Sequence, residues 1–372
     1  MWIHNRKNWP NFNWNTDKLA SKLADIRYRQ GLLLGKMKGF GFALKSEANL
    51  NTLTNDVIKS SAIEGENLNP VEVRSSIARR LGLDVAGLIP SSRNVDGVVE
   101  LMLDATQNYA IPLSKERLFG WQSALFPTGR SGLNRMTIGK WRTAESGPMQ
   151  VVSGPIGREN VHFEAPHADR LAHEMKLFIK WFNSTNDVDP VLRAGIAHLW
   201  FITIHPFEDG NGRIARAIAD MSLARADGIP ERFYSLSTQI ESNRKGYYNI
   251  LERQQSNTSD ITNWLEWFIE CIGRSITGAE KSLGTVLFKS RLWEKINQQP
   301  PINERQRLIV NRMLDDGFEG FMNTSKYAKL AKCSTDTALR DIQVLKARDI
   351  LIQNLGRGRS TSYRLPAPKE DI

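Results

Sequence analysis

The sequence predicts a mainly α-helical protein with one β-hairpin and a small C-terminal winged helix-turn-helix domain. Three observations predict this fold class. Apolar residues recur at helical spacing through most of the first 280 residues. Residues 149–166 interrupt this pattern with two short runs of valine and phenylalanine around a turn that contains glycine. Residues 303–372 combine further helical segments with two short alternating runs that flank a Gly-Arg-Gly-Arg turn.

Residues 1–90 are expected to form a helical N-terminal region. Apolar side chains fall on one face of a helix over residues 16–38, and a second helix is expected at about 46–60. Pro70 suits the first position of a third helix, which is predicted to run to Leu81. Three tryptophans are expected to fix an N-terminal strap to the core by burial: Trp2, Trp9 and Trp14.

Residues 91–285 are expected to form a helical core that carries the hairpin. The two strands of the hairpin are predicted at Val151–Val152 and Val161–Phe163, on either side of Ser-Gly-Pro and Gly-Arg-Glu-Asn. The other patterns in this region are helical, and they lie at residues 95–110, 114–125, 166–183, 190–204, 213–226, 243–256 and 260–279.

The C-terminal part is expected to be a separate domain. Residues 286–302, which contain Gln-Gln-Pro-Pro, are predicted to be a linker, and residues 303–372 a winged helix-turn-helix. Ser334 or Thr335 is expected to cap a helix that ends near Lys346.

Two functions remain open for this domain. Residues 335–347 could enter the major groove of DNA while Arg357 and Arg359 contact phosphates. The same shape also serves as a protein-docking or homodimerising unit.

The composition is that of a soluble globular protein of two or three domains, with 372 residues, 41% of them hydrophobic and 24% charged. The formal net charge of +10 favours an anionic partner such as a nucleotide, a nucleic acid or an acidic protein face. The longest apolar run, Leu199–Ile204, is too short to span a membrane, and the N-terminus lacks the apolar stretch of a signal peptide. A cytoplasmic location is therefore expected. Cys271 and Cys333 fit no metal or disulfide spacing.

The segment from His205 to Arg216 carries the strongest functional pattern. It reads His-Pro-Phe-Glu-Asp-Gly-Asn-Gly-Arg-Ile-Ala-Arg and lies between two predicted helices. Gly210, Asn211 and Gly212 allow backbone amides to converge on an anion, and the following helix adds the positive end of its dipole.

The other residues of the segment suit transfer of a phosphoryl or nucleotidyl group. Arg213 and Arg216 lie three positions apart on a helix and can bind phosphate oxygens with forked donors. Asp209 offers the hard oxygen ligand that Mg²⁺ prefers. His205 is a base that titrates near neutrality. The glycines are not followed by Lys-Ser/Thr, so the segment is not a P-loop.

The segment resembles the defining motif of the Fic family, His-x-Phe-x-Asp/Glu-Gly-Asn-Gly-Arg-x-x-Arg, at each of its fixed positions. The resemblance extends over roughly residues 90–280. It implies a protein adenylyltransferase, in which AMP moves from ATP to a Ser, Thr or Tyr hydroxyl of a target protein and pyrophosphate leaves. ATP would be the co-substrate and Mg²⁺ the cofactor, and self-modification is expected.

The resemblance also implies a role for each position of the motif. His205 would be the general base, Phe207 an anchor in the core, and Asp209 the Mg²⁺ ligand. Two sets would bind phosphates: the loop of Gly210, Asn211 and Gly212, and the side chains of Arg213 and Arg216, which would hold the β- and γ-phosphates.

Two elements outside the motif resemble the family as well. The hairpin corresponds to the family's flap, which pairs with the target's backbone, and Ser153 and Gly154 near its tip would contact the nucleotide. Tyr247 and Tyr248 resemble the aromatic pair of the adenine pocket. Gln255 stands where the family often has Asn, and it is expected to contact the nucleotide.

Upstream, Ser60-Ser61-Ala62-Ile63-Glu64-Gly65 resembles the family's inhibitory motif, Ser/Thr-x-x-x-Glu-Gly/Asn. Its position before the active site implies the class with an N-terminal inhibitory helix. Glu64 would pair with Arg216 and so prevent the γ-phosphate of ATP from binding in the productive position. The alternative is a surface glutamate that only stabilises its own helix.

Several other functions were compatible with the sequence. The Fic-like core could transfer phosphate, UMP or phosphocholine instead of AMP, or remove AMP with water. The chain could also be a transcription regulator that senses nucleotides and binds DNA, or a metal phosphoesterase built on His205 and Asp209. His198 is expected to be a buried structural histidine and not a metal ligand.

Overall fold

A computed structural model of the chain has a mainly α-helical fold with a few short strands, as the sequence predicts. Two compact units divide the chain, residues 1–280 and residues 281–372. No helix in the part of the chain that the structure describes is long and apolar enough to cross a membrane. The described residues are 1–85, 87–132, 134–154, 158, 160–185, 187–256, 258–314, 318, 320–355 and 361–366.

The helices of the first unit begin at sequence positions that favour capping. Asn69, Ser92, Ser114 and Asp189 each accept a hydrogen bond from a backbone amide two or three residues later, and proline follows directly after Asn69 and Asp189. The helices that begin in this unit are α1 (Thr16–Lys38), α2 (Phe42–Ile63), α3 (Pro70–Arg80), α4 (Arg93–Gln107), α5 (Lys115–Leu125), α6 (Leu171–Asn183), α7 (Pro190–Ile204), α8 (Asn211–Asp227), α9 (Leu236–Ser242), α10 (Arg244–Gln255) and α11 (Thr262–Asn297).

Helix α7 forms the centre of the first unit. Nearly all of its side chains are buried, and it packs against α6 and α8, while α8 also packs against α4. Trp264 of α11 donates a hydrogen bond of 2.8 Å to the carbonyl oxygen of Gly195 in the middle of α7. Because α7 is covered by helices, the short loop between α7 and α8 begins and ends inside the protein.

The N-terminal strap packs against the first unit through aromatic rings, which confirms the prediction for Trp2 and Trp9. Trp2 lies edge-on to Phe163 at 5.5 Å, and Trp9 lies edge-on to Trp200 at 6.3 Å between ring centroids. The indole of Trp9 also donates a hydrogen bond of 2.8 Å to Glu174. These contacts bury apolar surface, and the indole N–H of Trp9 keeps a polar partner.

The predicted hairpin is present as β3 (Gln150–Ser153) and β4 (Asn160–Glu164), which pair antiparallel with an irregularity between Val151 and Val152. We call residues 149–166 the flap. Residues 155–157 and 159, in the predicted turn, lie outside the described residues. A second pair of strands, β1 (Arg130–Ser131) and β2 (Asn134–Arg135), was not predicted.

In its described residues, the second unit contains the end of α11, three further helices and a pair of short antiparallel strands around its own apolar core. Ser334 caps the third helix, as the sequence predicts. Met322 and Tyr363 exchange two backbone hydrogen bonds, which add a third extended segment beside the strand pair. The elements are α12 (Glu304–Leu314), α13 (Thr324–Ala331), α14 (Thr335–Ala347), β5 (Ile352–Gln353) and β6 (Tyr363–Arg364).

This element order is the one expected for residues 303–372, and the assignment as a winged helix-turn-helix stays a prediction. Arg357 and Arg359, expected to contact phosphates, lie outside the described residues.

The structure differs from the prediction in the segment assigned to the linker. Residues 286–297, assigned to the linker 286–302, are helical because α11 continues to Asn297. Leu292 and Ile296 lie four positions apart on this helix and are buried in the core of the second unit, which explains why the segment is ordered as helix. Residues 1–280 form one compact unit, and the division of this unit near residue 90 stays a prediction.

Candidate active site

The loop of residues 205–210 joins α7 to α8 and has an unusual backbone at both ends. His205 closes α7 in the left-handed conformation with φ 52°, which histidine tolerates better than most residues. Gly210 precedes α8 with φ 86°, a conformation that a side chain would strain. The loop therefore reverses the chain within six residues and brings His205 close to the N-terminus of α8.

The imidazole of His205 is oriented by a hydrogen bond. Its Nδ1 lies 3.1 Å from the carbonyl oxygen of Ile202, which can only accept, so Nδ1 carries the proton and Nε2 is left as an acceptor. Burial lowers the pKa of His205 from its ordinary value, and the charge of Arg142 lowers it further. The ring is therefore neutral near pH 7 and can accept a proton at Nε2.

Phe207 and Asn211 hold the loop together from inside. Phe207 is fully buried and lies 5.1 Å from the ring of Trp141 and 6.3 Å from that of Phe119. The side chain of Asn211 accepts a hydrogen bond from the amide of Phe207 and donates one to its carbonyl oxygen, at 3.0 and 2.8 Å. The side chain of Asn211 thus stabilises the loop, which leaves only its backbone for an anion.

Asp209 is fixed by two donors. Its carboxylate accepts hydrogen bonds from the hydroxyl of Ser131 on β1 and from the amide of Gly210, at 2.5 and 2.6 Å. Mg²⁺ in nucleotide sites commonly binds one or two carboxylates together with phosphates and water. The oriented carboxylate of Asp209, which lines the cavity described below, fits this pattern. No cluster of three His, Cys, Asp or Glu residues that could hold a metal occurs in the described chain.

Glu64 lies against the first turns of α8. It follows the last residue of α2, and its Oε1 accepts a hydrogen bond of 2.7 Å from Nη2 of Arg216. Arg216 is fully buried and also donates to the hydroxyl and the carbonyl oxygen of Ser60, at 2.9 and 2.8 Å. A β-carbon on Gly212 would lie only 2.0 Å from Oε1 of Glu64, so the glycine permits this close approach.

Arg213 has a carboxylate partner of its own. Its Nη1 lies 2.7 Å from Oε2 of Glu66, and its guanidinium lies 5.1 Å above the ring of Phe126. The side chain of Arg213 is only 2% exposed, whereas that of Glu66 is 47% exposed. Both arginines of the motif are therefore bound by glutamates that follow α2.

The flap contacts α10 through a chain of polar groups. The hydroxyl of Ser153 and Nε2 of His162 are 2.6 Å apart, and Nδ1 of His162 is 3.1 Å from Oε2 of Glu252. Gly154, next to Ser153, has φ 102°. The valines of the flap are partly exposed, at 36% for Val151 and 47% for Val152, so an apolar strip is open to a partner.

Helix α10 places three of the predicted residues beside the motif. Tyr247 is buried, and its hydroxyl is 2.9 Å from Nε2 of His198. His198 is fully buried, as predicted, and its burial lowers the pKa of the ring to about 3, so the ring is neutral. Tyr248 is partly exposed and reaches the carbonyl oxygen of Ile63 at 3.4 Å. Gln255 donates to the hydroxyl of Thr203 at 3.3 Å.

A cavity of about 550 Å³ lies between the loop, the flap and α10. Four predicted residues do not appear among its described lining residues: Gly154, Gly210, Arg213 and Arg216. The two arginines do not line the cavity because they are buried, Arg213 beside Glu66 and Arg216 beside Glu64. The predicted residues that do line it are Glu64, Ser153, His205, Asp209, Asn211, Gly212, Tyr247, Tyr248 and Gln255.

Arg142 is a site residue that the sequence did not reveal. Its guanidinium donates two hydrogen bonds: Nε to the carbonyl oxygen of His205 at 2.9 Å, and Nη2 to the carbonyl oxygen of Pro166 at 2.5 Å. Its backbone amide donates a third, to the carbonyl oxygen of Pro206 at 2.9 Å. Burial lowers the pKa of Arg142 to about 10, which still leaves it charged at neutral pH. A lone arginine carries no spacing signal, and only the fold brings it to this loop.

Comparison with known proteins gives two family matches. Residues 112–223 match the Fic/DOC family, and residues 2–83 match a domain of unknown function, DUF4172. The chain is 31% identical over 111 residues to protein adenylyltransferase fic-1 of Caenorhabditis elegans, a match that covers 29% of this chain and 21% of that protein. It is 26% identical over 223 residues to protein adenylyltransferase Fic of Drosophila mojavensis, a match that covers 59% of this chain and 40% of that protein. The chain thus spans two fifths or less of these curated relatives.

Two solved structures share the fold. A Fic family protein from Desulfovibrio desulfuricans G20 superposes with a TM-score of 0.50 at 19% identity, over 93% of this chain and 96% of that one. A Fic domain containing signaling protein from Bacteroides thetaiotaomicron VPI-5482 superposes with a TM-score of 0.52 at 20% identity. This superposition covers 70% of this chain and 96% of that one. The family match and the motif geometry together identify residues 112–223 as a Fic/DOC domain, and the two solved structures share its fold.

Proposed function

We propose that this protein transfers AMP from ATP to a Ser, Thr or Tyr hydroxyl of a target protein, and that Glu64 restrains the reaction. The observation that carries the proposal is the single cavity of about 550 Å³ that His205, Asp209 and Gly212 line together. A proton acceptor, a carboxylate and the N-terminus of a helix around one cavity are the groups that nucleotidyl transfer requires. The adenylyltransferase names of the relatives agree with this chemistry.

In the proposed reaction the phosphates of ATP lie against the N-terminus of α8, where backbone amides and the helix dipole stabilise negative charge. Nε2 of His205 accepts the proton of the target hydroxyl. The hydroxyl oxygen attacks the α-phosphorus, the bond from that phosphorus to the bridging oxygen breaks, and pyrophosphate leaves. Asp209 would hold Mg²⁺, which neutralises phosphate charge when it is bound.

The nucleoside end of ATP is proposed to lie between α10 and the flap. Tyr247, Tyr248 and Gln255 supply one wall, and Ser153 with Gly154 supplies the other. The partly exposed valines of the flap support docking of an extended target segment by strand addition, which would present its hydroxyl to His205.

The proposed inhibition rests on the bond between Glu64 and Arg216. A guanidinium that already binds a carboxylate at 2.7 Å has a donor fewer for the γ-phosphate of ATP. ATP could still enter, but its α-phosphate would not be held in line with the attacking hydroxyl. DNA binding, homodimer formation and a cytoplasmic location stay predictions from the sequence.

The test is incubation of Glu64→Gly protein with Mg²⁺ and ATP labelled on the α-phosphate, alone and with cell lysate. We expect labelled protein bands, with a mass increase of one AMP, and weaker labelling by the unchanged sequence. His205→Ala in the Glu64→Gly background is the control and should remain unlabelled. Absence of any label with Glu64→Gly would contradict the proposal, and a different mass increase would indicate transfer of another group.

A further inference from the structure

We propose that Glu66 is a second inhibitory residue, which restrains the β-phosphate by binding Arg213 while Glu64 restrains the γ-phosphate through Arg216. This inference rests on the proposed function, because it takes Arg213 as the ligand of the β-phosphate. It assigns a role to a residue that lies outside the six-residue inhibitory motif.

The backbone after α2 places Glu66 beside α8. Gly65 follows the helix with φ 87°, the left-handed conformation that ends many helices. The amide of Gly65 donates to the carbonyl oxygen of Ala62, and the amide of Glu66 donates to that of Ser61, both at 3.0 Å. These two bonds form a Schellman motif, so the backbone of Glu66 is fixed relative to α2.

The two glutamates bind different arginines through different atoms. Glu64 accepts from Nη2 of Arg216, and Glu66 accepts from Nη1 of Arg213, each at 2.7 Å. Removal of the Glu64 side chain therefore leaves the bond to Arg213 intact. Each carboxylate neutralises one of the two charges that the resemblance assigns to the phosphates.

Arg213 is held so that a phosphate must compete with Glu66. Its side chain is 2% exposed and lies over the ring of Phe126, which restricts where the guanidinium can move. Its Nε is buried with no hydrogen-bond partner among the described residues, so Glu66 is the polar contact that a nucleotide would have to replace. Because Glu66 is 47% exposed, it can move into solvent when a phosphate binds.

If both ion pairs are inhibitory, the effect of each glutamate on nucleotide affinity should depend on how many phosphates the nucleotide carries. AMP has no β-phosphate, so its affinity should not depend on Glu66. ADP carries the β-phosphate and should compete with Glu66 for Arg213. ATP carries both phosphates and should be opposed by both glutamates.

The experiment measures binding of AMP, ADP and ATP with Mg²⁺ by calorimetry in a His205→Ala background, where no transfer takes place. We expect Glu66→Gln to increase the affinity for ADP by about fivefold, the size expected for loss of a partly exposed ion pair. Affinity for AMP should stay the same. Glu64→Gln should increase the affinity for ATP more than that for ADP, and the double variant should bind ATP more tightly than either single variant.

Two controls separate this role from a structural one. Glu100→Gln removes one negative charge from an exposed position of α4 and should change none of the three affinities. Glu66→Asp keeps the charge but shortens the side chain, so it should raise ADP affinity less than Glu66→Gln does. If Glu66→Gln fails to fold, Glu66→Asp still tests whether shortening the contact to Arg213 raises the affinity for ADP.

The inference would be overturned if both Glu66 variants left the affinity for ADP unchanged, or if they raised the affinities for AMP and ADP equally. Because binding is measured without transfer, this result is independent of whether Glu64→Gly protein labels any target.

Discussion

The guanidinium of Arg142 donates a hydrogen bond of 2.9 Å to the carbonyl oxygen of His205. The same guanidinium binds the carbonyl oxygen of Pro166, at the end of the flap. One buried cation therefore joins the segment that carries the proposed base to the segment that would present the target. The distance between base and target hydroxyl depends on this connection.

Replacement of Arg142 should therefore impair transfer more than binding. Arg142→Lys keeps the charge but cannot donate to separated carbonyl oxygens, because lysine has a single nitrogen head. In the Glu64→Gly background we expect kcat to fall by about tenfold through misplacement of the loop, with little change in KM for ATP. Steady-state labelling measures both constants. An unchanged kcat would show that the loop does not need this guanidinium.

The rate of transfer should depend on pH through His205. Burial lowers the pKa of His205 below its ordinary value of 6.5, and the charge of Glu64 partly offsets this effect. A base must be unprotonated to act, so the rate should be constant through neutral pH and fall only below pH 6.5. In Glu64→Gly protein the midpoint of the pH–rate profile should lie lower still, because the negative charge that raises the pKa of His205 is gone. A pH–rate profile with its midpoint above 7 would contradict this assignment.

Gly212→Ala should destabilise the protein more when Glu64 is present than when it is absent. A β-carbon at this position would lie 2.0 Å from Oε1 of Glu64, so one of the two groups must move. Overpacking of this kind costs about 1–3 kcal/mol. Urea unfolding of the two single variants and of Gly212→Ala/Glu64→Gly measures the coupling. Equal losses of stability with and without Glu64 would indicate that the clash is relieved elsewhere.

Asp209→Asn should weaken the response of the enzyme to Mg²⁺. The amide retains a hydrogen-bond acceptor for Ser131 but removes the negative charge that a divalent cation prefers. We expect the Mg²⁺ concentration for half-maximal labelling to rise by about tenfold, with partial rescue at high Mg²⁺. Ser131→Ala tests whether orientation of the carboxylate matters and should give a smaller rise. A Mg²⁺ dependence that Asp209→Asn leaves unchanged would exclude this carboxylate as a ligand.

The sequence predicts those parts of the fold that local chemistry determines. Pro70 and the helical pattern over residues 190–204 mark helix starts that the structure reproduces. The valine runs predict the flap, and the fixed spacing from His205 to Arg216 predicts that these residues meet at one loop. Each of these signals lies within a few residues of the feature that it predicts.

The contacts that the sequence did not predict join residues distant in the chain. Arg142 reaches His205 across 63 positions, and Arg213 reaches Glu66 across 147. Such pairs depend on how helices pack, and one arginine or glutamate among many carries no sign of its partner. The helix over residues 286–297 was missed for a related reason: its apolar positions, Leu292 and Ile296, become informative only with the core that buries them.

Glu64 sits at the very end of α2, one residue past its last turn, while Ser60 within the helix also binds Arg216. Opening of the chain from Glu64 onward would release the carboxylate, yet the guanidinium would keep its bonds to Ser60 and the rest of the helix would stay docked. Local opening at a helix end needs far less free energy than undocking an entire helix. Under the proposed inhibition, such local opening would free Arg216 for a phosphate without any large rearrangement, and amide hydrogen exchange at residues 62–66 would report it.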